Sequence, residues 1–310
     1  MMLYPTNKPG LAPNPSRMTL LLALWGMARP VIMLSVFLVY IAGLLIARAA
    51  GYSLDAEPIG WGFVALLLVS LSIHYTNEYA DYETDALTRP TLYSGGSGVL
   101  PAGDVPRRVA LYAAWGTLLP GLAVGIVAWA LGILSAGSVA LLAVGAFFGW
   151  MYSLPPLKLA WQGWGEFDNA VLGGVFLHLY GYSVLAEDIS PGIALAVVPF
   201  TMLTFNNLLA TTWADREADA QVGKFTLATR YTPQTLRRLY AGVALAAYGL
   251  SLALGGWLLP WSVVLGGFLA LPVLAWGWRT YTRWHSPYPT SNAMVVFLFG
   301  QMLGWFVAGN

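Results

Sequence analysis

The sequence predicts an all-α integral membrane protein, a single domain over 1–310 with nine transmembrane helices around a central cavity. Three observations predict it. Hydrophobic residues make up 58% of the chain and charged residues 9%, where a soluble domain carries about 25% charged residues. Nine apolar runs approach the roughly 20 residues needed to cross a bilayer, and hydrocarbon leaves the backbone of such runs no partner but itself. Finally, lysine and arginine are sorted by side. With the N-terminus placed in the cytoplasm, fourteen of the fifteen fall on the cytoplasmic side and only Arg48 falls outside, a strong positive-inside bias.

In order, residues 1–17 are polar and proline-rich, with Lys8 and Arg17, and are expected to be flexible. Met18–Ala28 suits a short interfacial helix. It is not a signal peptide, because Leu20–Met27 meets Arg29-Pro30 and the apolar pattern then continues as a full span. The spans are expected near 31–48, 59–80, 107–131, 133–152, 167–186, 191–213, 234–256, 261–282 and 291–309. Ser190-Pro191 and Thr232-Pro233 each read as an N-cap followed by proline in the first turn, and Asp104-Val105-Pro106 is a looser version. The two longest loops, about 81–106 and 214–233, lie on the cytoplasmic side, so function is expected there and the C-terminus outside. Cysteine is absent, which excludes disulfides and thiol chemistry. The net charge of +1 and the lack of a charged tail give no sign of a nucleic-acid partner or an obligate protein partner.

The chemistry concentrates where the second span ends, in Asn77-Glu78-Tyr79-Ala80-Asp81-Tyr82-Glu83-Thr84-Asp85. Four of the fourteen acidic residues fall in these nine positions. On a helix, Asn77, Asp81 and Asp85 share one face, where like charges repel by a few tenths of a kcal/mol per pair. A divalent cation neutralises them most simply. Mg2+ fits, because it binds through one or two carboxylates and takes phosphate oxygens as further ligands. A second cluster, Asp215-Arg216-Glu217-Ala218-Asp219, ends the sixth span, with Asp215 and Asp219 again on one face. Two clusters at one membrane face suit two Mg2+ ions bridging a diphosphate. Arg89, Lys158, Lys224 and Arg230 are candidates for pairing with its oxygens, and Arg29 is a further candidate for substrate binding.

Gly95-Gly96-Ser97-Gly98 follows the first cluster and would let the backbone approach a ligand, with Gly96 and Ser97 closest to it. Tyr152-Ser153 and Lys158 flank the end of the fourth span and are expected to point into the same polar cavity. Glu166 and Asp168 read first as N-terminal helix charges. Other motifs fail on spacing. Ala86 and Leu92 stand where an EF-hand needs glycine and glutamate, and Ala218 and Phe225 break a P-loop around Gly223-Lys224. His74, His178 and His285 have no metal-ligand spacing.

Asn77-Glu78-x-x-Asp81-x-x-x-Asp85 resembles the first aspartate-rich motif of the UbiA superfamily of intramembrane aromatic prenyltransferases, and Asp215-x-x-x-Asp219 resembles its second. The resemblance extends over nearly the whole chain. Ser94–Leu100, Tyr152–Leu159 with Gly165-Glu166, and Gly223-Lys224-x-Thr226-Leu227-Ala228 look like the dihydroxynaphthoate prenyltransferases of menaquinone synthesis. Glu78 departs from the motif's aspartate, and Thr211-Thr212 stand where asparagines are common, with Asn206 and Asn207 further upstream. The resemblance implies transfer of a polyprenyl chain from its diphosphate to an aromatic acceptor. For dihydroxynaphthoate, the carboxyl is lost as carbon dioxide. Asn77, Glu78, Asp81 and Asp85 would serve one Mg2+, and Asp215 and Asp219 the other. Asp81, Asp85, Asp215, Asp219 and Lys158 would carry catalysis. Other acceptors of the family are hydroxybenzoate, homogentisate-type precursors and chlorin rings. A divalent-cation carrier is the alternative of another class, opposed by the clustering of acids at one face rather than at midspan.

Overall fold

The computed structural model describes residues 15–88 and 90–310 as helices joined by loops. The flexible segment expected over 1–17 lies outside the described residues as far as position 14. Ser16 and Arg17 already belong to ordered structure, since Ser16 Oγ accepts from the Thr19 amide and caps α1 (Arg17–Met27).

The helices follow the apolar runs closely. They are α2 (Pro30–Ala49), α3 (Ala56–Ala80), the short α4 (Tyr82–Asp85) and α5 (Val99–Ala102), then α6 (Arg108–Ala130) and α7 (Ala136–Ser153). Next come α8 (Gly165–Val171), a π turn over Leu172–Phe176, α9 (Leu177–Ala186), α10 (Pro191–Ala196), α11 (Val198–Gln221) and α12 (Leu227–Arg230). The chain ends with α13 (Pro233–Leu254), α14 (Trp261–Phe268), α15 (Leu271–Thr280) and α16 (Tyr288–Ala308). The caps anticipated at Ser190 and Thr232 are both formed.

Among the described residues, six helical segments are long and apolar enough to cross a membrane. The pair α14–α15, bent by 42°, makes a seventh if it counts as one span. The protein is therefore an integral multi-pass membrane protein. Helices α11 and α13, with 24 and 22 residues, cover the two other expected spans. They fall short on apolarity because α11 runs on through Asp215, Arg216, Glu217 and Asp219, and α13 begins with Arg237 and Arg238 in its second turn. The loop expected to start at 214 thus starts at 222. A charged stretch that contains no proline or glycine does not by itself end a helix, and α11 runs on to Gln221.

Lipid offers no hydrophobic drive for one helix to leave it for another, so close packing of small residues holds such bundles together. Ala65 of α3 and Ala110 and Ala114 of α6 are fully buried, in the bundle's most extensive helix pairing. Helices α2 and α9 meet at Gly43 and Gly181, where a Cβ on Gly43 would run into the His178 carbonyl. One core cluster gathers around α3, α6, α7 and α9, and a second around α11, α13, α15 and α16. Large apolar side chains such as Leu245, Tyr112 and Trp257 cover the outside, as a lipid-facing surface requires.

Candidate active site

At one end of the bundle, α3 stops at Ala80, and Asp81 (φ −91°, ψ 11°) joins it to α4. The break does not spoil the motif. Asp81 N donates to Asn77 O at 2.8 Å and Asp85 N to Asp81 O at 2.8 Å, so the four-residue step persists across it. Asn77 Nδ2 donates to Asp81 Oδ2 at 3.0 Å and to Ser153 Oγ at 3.2 Å, which ties the motif to the end of α7.

The second motif stays on unbroken helix. Lys224 N donates to Asp219 O at 2.8 Å just past the end of α11. Its ammonium lies 3.1 Å from Asp81 Oδ2 and 3.6 Å from Asp219 Oδ1, so a single lysine touches both acidic motifs. Burial works against that charge, but Asp81 and Asp219 outweigh it and the pKa of Lys224 is raised. The glycine loop closes the gap from the other side. Gly95 N donates to Asp215 Oδ2 at 3.3 Å. Gly96 (φ +70°) lies so close that a Cβ there would collide with the Asp85 carboxyl.

These groups line the mouth of a cavity of about 360 Å³. Its polar end holds Arg29, Asn77, Asp81, Asp85, Asp215, Asp219 and Lys224, and its walls continue inward past Val69, Leu141, Phe176 and Tyr180. An anionic head with an apolar tail matches that gradient. Burial is the main reason the Asp85 carboxyl is pushed up to about 8, with Arg29 pulling it down and Asp81 and Glu78 pushing it further up.

Asp81 Oδ1, Asp85 Oδ2 and Asp219 Oδ1 are buried without a hydrogen-bond partner, and lone carboxylate oxygens of this kind are suitable donors for a hard cation. Among the described residues, however, no three acidic or histidine side chains converge on a point that could hold a metal. Lys224 stands between the two motifs, and Arg29 Nη2 lies 3.9 Å from Asp85 Oδ2. The donors fit an ion that brings its own phosphate ligands better than one caged by protein alone.

The other expected site residues divide into two groups. Tyr152 lines the cavity, and Ser153 reaches it through Asn77. Glu78 faces away from it. Its Oε1 accepts from Arg29 Nε at 2.7 Å and from Ser97 N at 2.9 Å, and its Oε2 accepts from Ser97 Oγ at 2.5 Å. Lys158 and Arg230 do not reach the cavity lining. Lys158 has left-handed backbone (φ 45°), and its ammonium sits 4.5 Å above the Trp161 ring. The Arg230 guanidinium covers the Phe225 ring at 5.3 Å and reaches Gln162 O at 3.4 Å. In both, an aromatic face holds the cation on the outside. Arg89 lies outside the described residues.

Sequence reasoning undervalued Glu166. It is buried and lines the cavity, and its Oε1 accepts from Leu227 N at 2.9 Å, pinning the segment after Lys224. The signal was present, since Gly165-Glu166 goes with the Tyr152–Leu159 motif and Gly223–Ala228 belongs to the same set of resemblances. His74 also lines the cavity, one helical turn before Asn77. Asn207, whose Oδ1 accepts from Ser291 Oγ at 2.7 Å, is the upstream asparagine that faces it.

Comparison with known proteins agrees with this geometry. Residues 35–300 match the model of the UbiA prenyltransferase family. No curated relative matches the sequence. Among solved structures, a digeranylgeranylglyceryl phosphate synthase superposes with a TM-score of 0.63 at 15% identity, covering 94% of this chain and 98% of its own. A UbiA homologue from Archaeoglobus fulgidus bound to GPP and Mg2+ gives a TM-score of 0.58 at 18% identity, covering 92% and 99%. The apo UbiA homologue from Aeropyrum pernix K1 gives 0.63 at 16% identity, covering 89% and 97%. With the family model spanning most of the chain and both acidic motifs facing one cavity, the chain belongs to the UbiA prenyltransferase family.

Proposed function

We propose that this protein transfers a polyprenyl chain from its diphosphate to 1,4-dihydroxy-2-naphthoate, giving a demethylmenaquinol, the reduced form of a demethylmenaquinone. The C–O bond to diphosphate breaks, a C–C bond to the ring forms as that ring carbon gives up its proton, and the ring carboxyl leaves as carbon dioxide with a proton taking its place. The observation that carries this reading is the contact of Lys224 with both Asp81 and Asp219, at the mouth of a cavity whose inner walls are apolar. The acceptor assignment rests on the glycine-loop, Tyr152–Leu159 and Lys224–Ala228 motifs. All nine expected spans cross the membrane in this reading, with the site and the N-terminus on the cytoplasmic side.

In this reading, Asn77, Asp81 and Asp85 hold one Mg2+, and Asp215 and Asp219 the other, as the A. fulgidus homologue's Mg2+ and GPP suggest by analogy. Mg2+ held by these carboxylates would offset the charge developing on the leaving group. Arg29 and Lys224 donate to the diphosphate oxygens, Lys224 turning from its carboxylate partners to do so. Gly95 and Gly96 let the backbone lie against the head group. The tail partitions from water into lipid at about 0.8 kcal/mol per methylene, and the apolar wall continues that environment and keeps water from the allylic cation.

The test is incubation of purified protein with Mg2+, geranylgeranyl diphosphate and a panel of aromatic acceptors, read by mass spectrometry. Prenylated, decarboxylated dihydroxynaphthoate is the expected product. Turnover confined to another acceptor would overturn the naphthoate assignment while keeping the transferase.

A further inference from the structure

The position one residue after Asn77 is turned about 100° from it on a helix, so Glu78 cannot share the face of Asn77, Asp81 and Asp85. It points instead at the turn between α1 and α2 and at the glycine loop. There its carboxylate, 1% exposed, has both oxygens engaged. Arg29 Nε and Nη2 converge on Oε1 at 2.7 and 2.6 Å, Ser97 N reaches the same oxygen, and Ser97 Oγ takes Oε2. Both partners it holds lie in or beside left-handed backbone. Arg29 is left-handed at φ 48°, and Ser97 sits between Gly96 and Gly98 at φ 70° and 76°. Arg29 and Gly96 line the cavity while Glu78 does not.

We infer that Glu78 is a positioning residue and not a metal ligand: it fixes the Arg29 guanidinium and the Gly95–Gly98 loop so that both meet the substrate's diphosphate. This rests on the diphosphate reading of the site and reassigns one of the acidic residues of the first motif. A buried carboxylate with both oxygens engaged is poorly placed to bind an ion, but it supplies the counter-charge that anchors Arg29, whose Nη2 stays at 3.9 Å from Asp85 Oδ2.

Three kinetic readouts on full-length protein separate the roles. Glu78→Gln should raise the KM for geranylgeranyl diphosphate about tenfold or more, as expected for losing a charged hydrogen bond, and should lower kcat far less. The Mg2+ concentration for half-activity should stay within about twofold of wild type, as it would not for a lost ligand. In a double-mutant cycle, Glu78→Gln combined with Arg29→Gln should lose clearly less than the sum of the two single losses, because Glu78 acts partly through Arg29. Ser97→Ala removes only the Oε2 contact and should shift KM in the same direction by a smaller factor, which keeps the test available if Glu78→Gln folds poorly. A rise in the Mg2+ requirement matching that of Asp81→Asn, or fully additive losses in the cycle, would overturn the inference. Calorimetric titration of inorganic pyrophosphate with Mg2+ gives the same comparison without prenyl transfer. Wild-type protein that binds pyrophosphate but prenylates no acceptor would count against the acceptor assignment, and a binding loss in Glu78→Gln would still support the positioning role.

Discussion

The two acidic motifs carry similar spacing and sit in different kinds of structure. Asp215 and Asp219 ride on a continuous helix that ends at Gln221. Asn77, Asp81 and Asp85 straddle a break, and the side chains and backbone around them come from α7, the glycine loop and the turn before α2. The second motif is carried by one helix and touched from outside by Gly95 N and Lys224, whereas the first is placed by several elements at once. Substitutions around the first motif should therefore disturb function largely through neighbours, whereas those around the second should act mainly through the carboxylates themselves.

The largest effect should come from the carboxylates. Asp81→Asn or Asp219→Asn should lower kcat by about 10²-fold or more, the scale of losing one group that stabilises developing charge. Near-normal turnover in either, in folded protein, would remove that motif from the chemistry. Next, Lys224→Ala should raise the KM for prenyl diphosphate by about 10- to 100-fold, with the acceptor KM nearly unchanged; the opposite pattern would move Lys224 to the acceptor. Gly96→Ala sharpens the contrast between the motifs. It forces an L side chain into left-handed backbone and against Asp85, and should cost about 1–3 kcal/mol, read as a lower thermal midpoint in detergent. Smallest of all, Lys158→Ala and Arg230→Ala should change kcat/KM by less than about twofold, since rim charges held on aromatic faces contribute little. A tenfold loss in either would put that cation back in the site.

The nine apolar runs located the helices to within a few residues because bilayer thickness and backbone hydrogen bonding leave little choice. The same reasoning misjudged the end of α11, where charged residues continue the helix beyond the apolar stretch. The acidic spacing identified the faces of Asp81 and Asp219 correctly, because helical geometry alone fixes them. Glu78 was grouped with its neighbours by the family motif, although its place one residue off that face already set it apart. Lys158 and Arg230 were counted by charge and proximity, and nothing in the sequence revealed that Trp161 and Phe225 would capture them. The contact of Lys224 with Asp81, 143 residues away along the chain, required the tertiary structure.

That bridge has a bearing on how the molecule survives between turnovers. Two facing groups of carboxylates would push the halves of the bundle apart whenever the substrate's cations have gone. Lys224, tethered to the chain and always at hand, acts as a resident counter-ion that keeps the jaws set. In the proposed reaction each arriving diphosphate would find a mouth already shaped, and each departing one would hand the carboxylates back to the lysine.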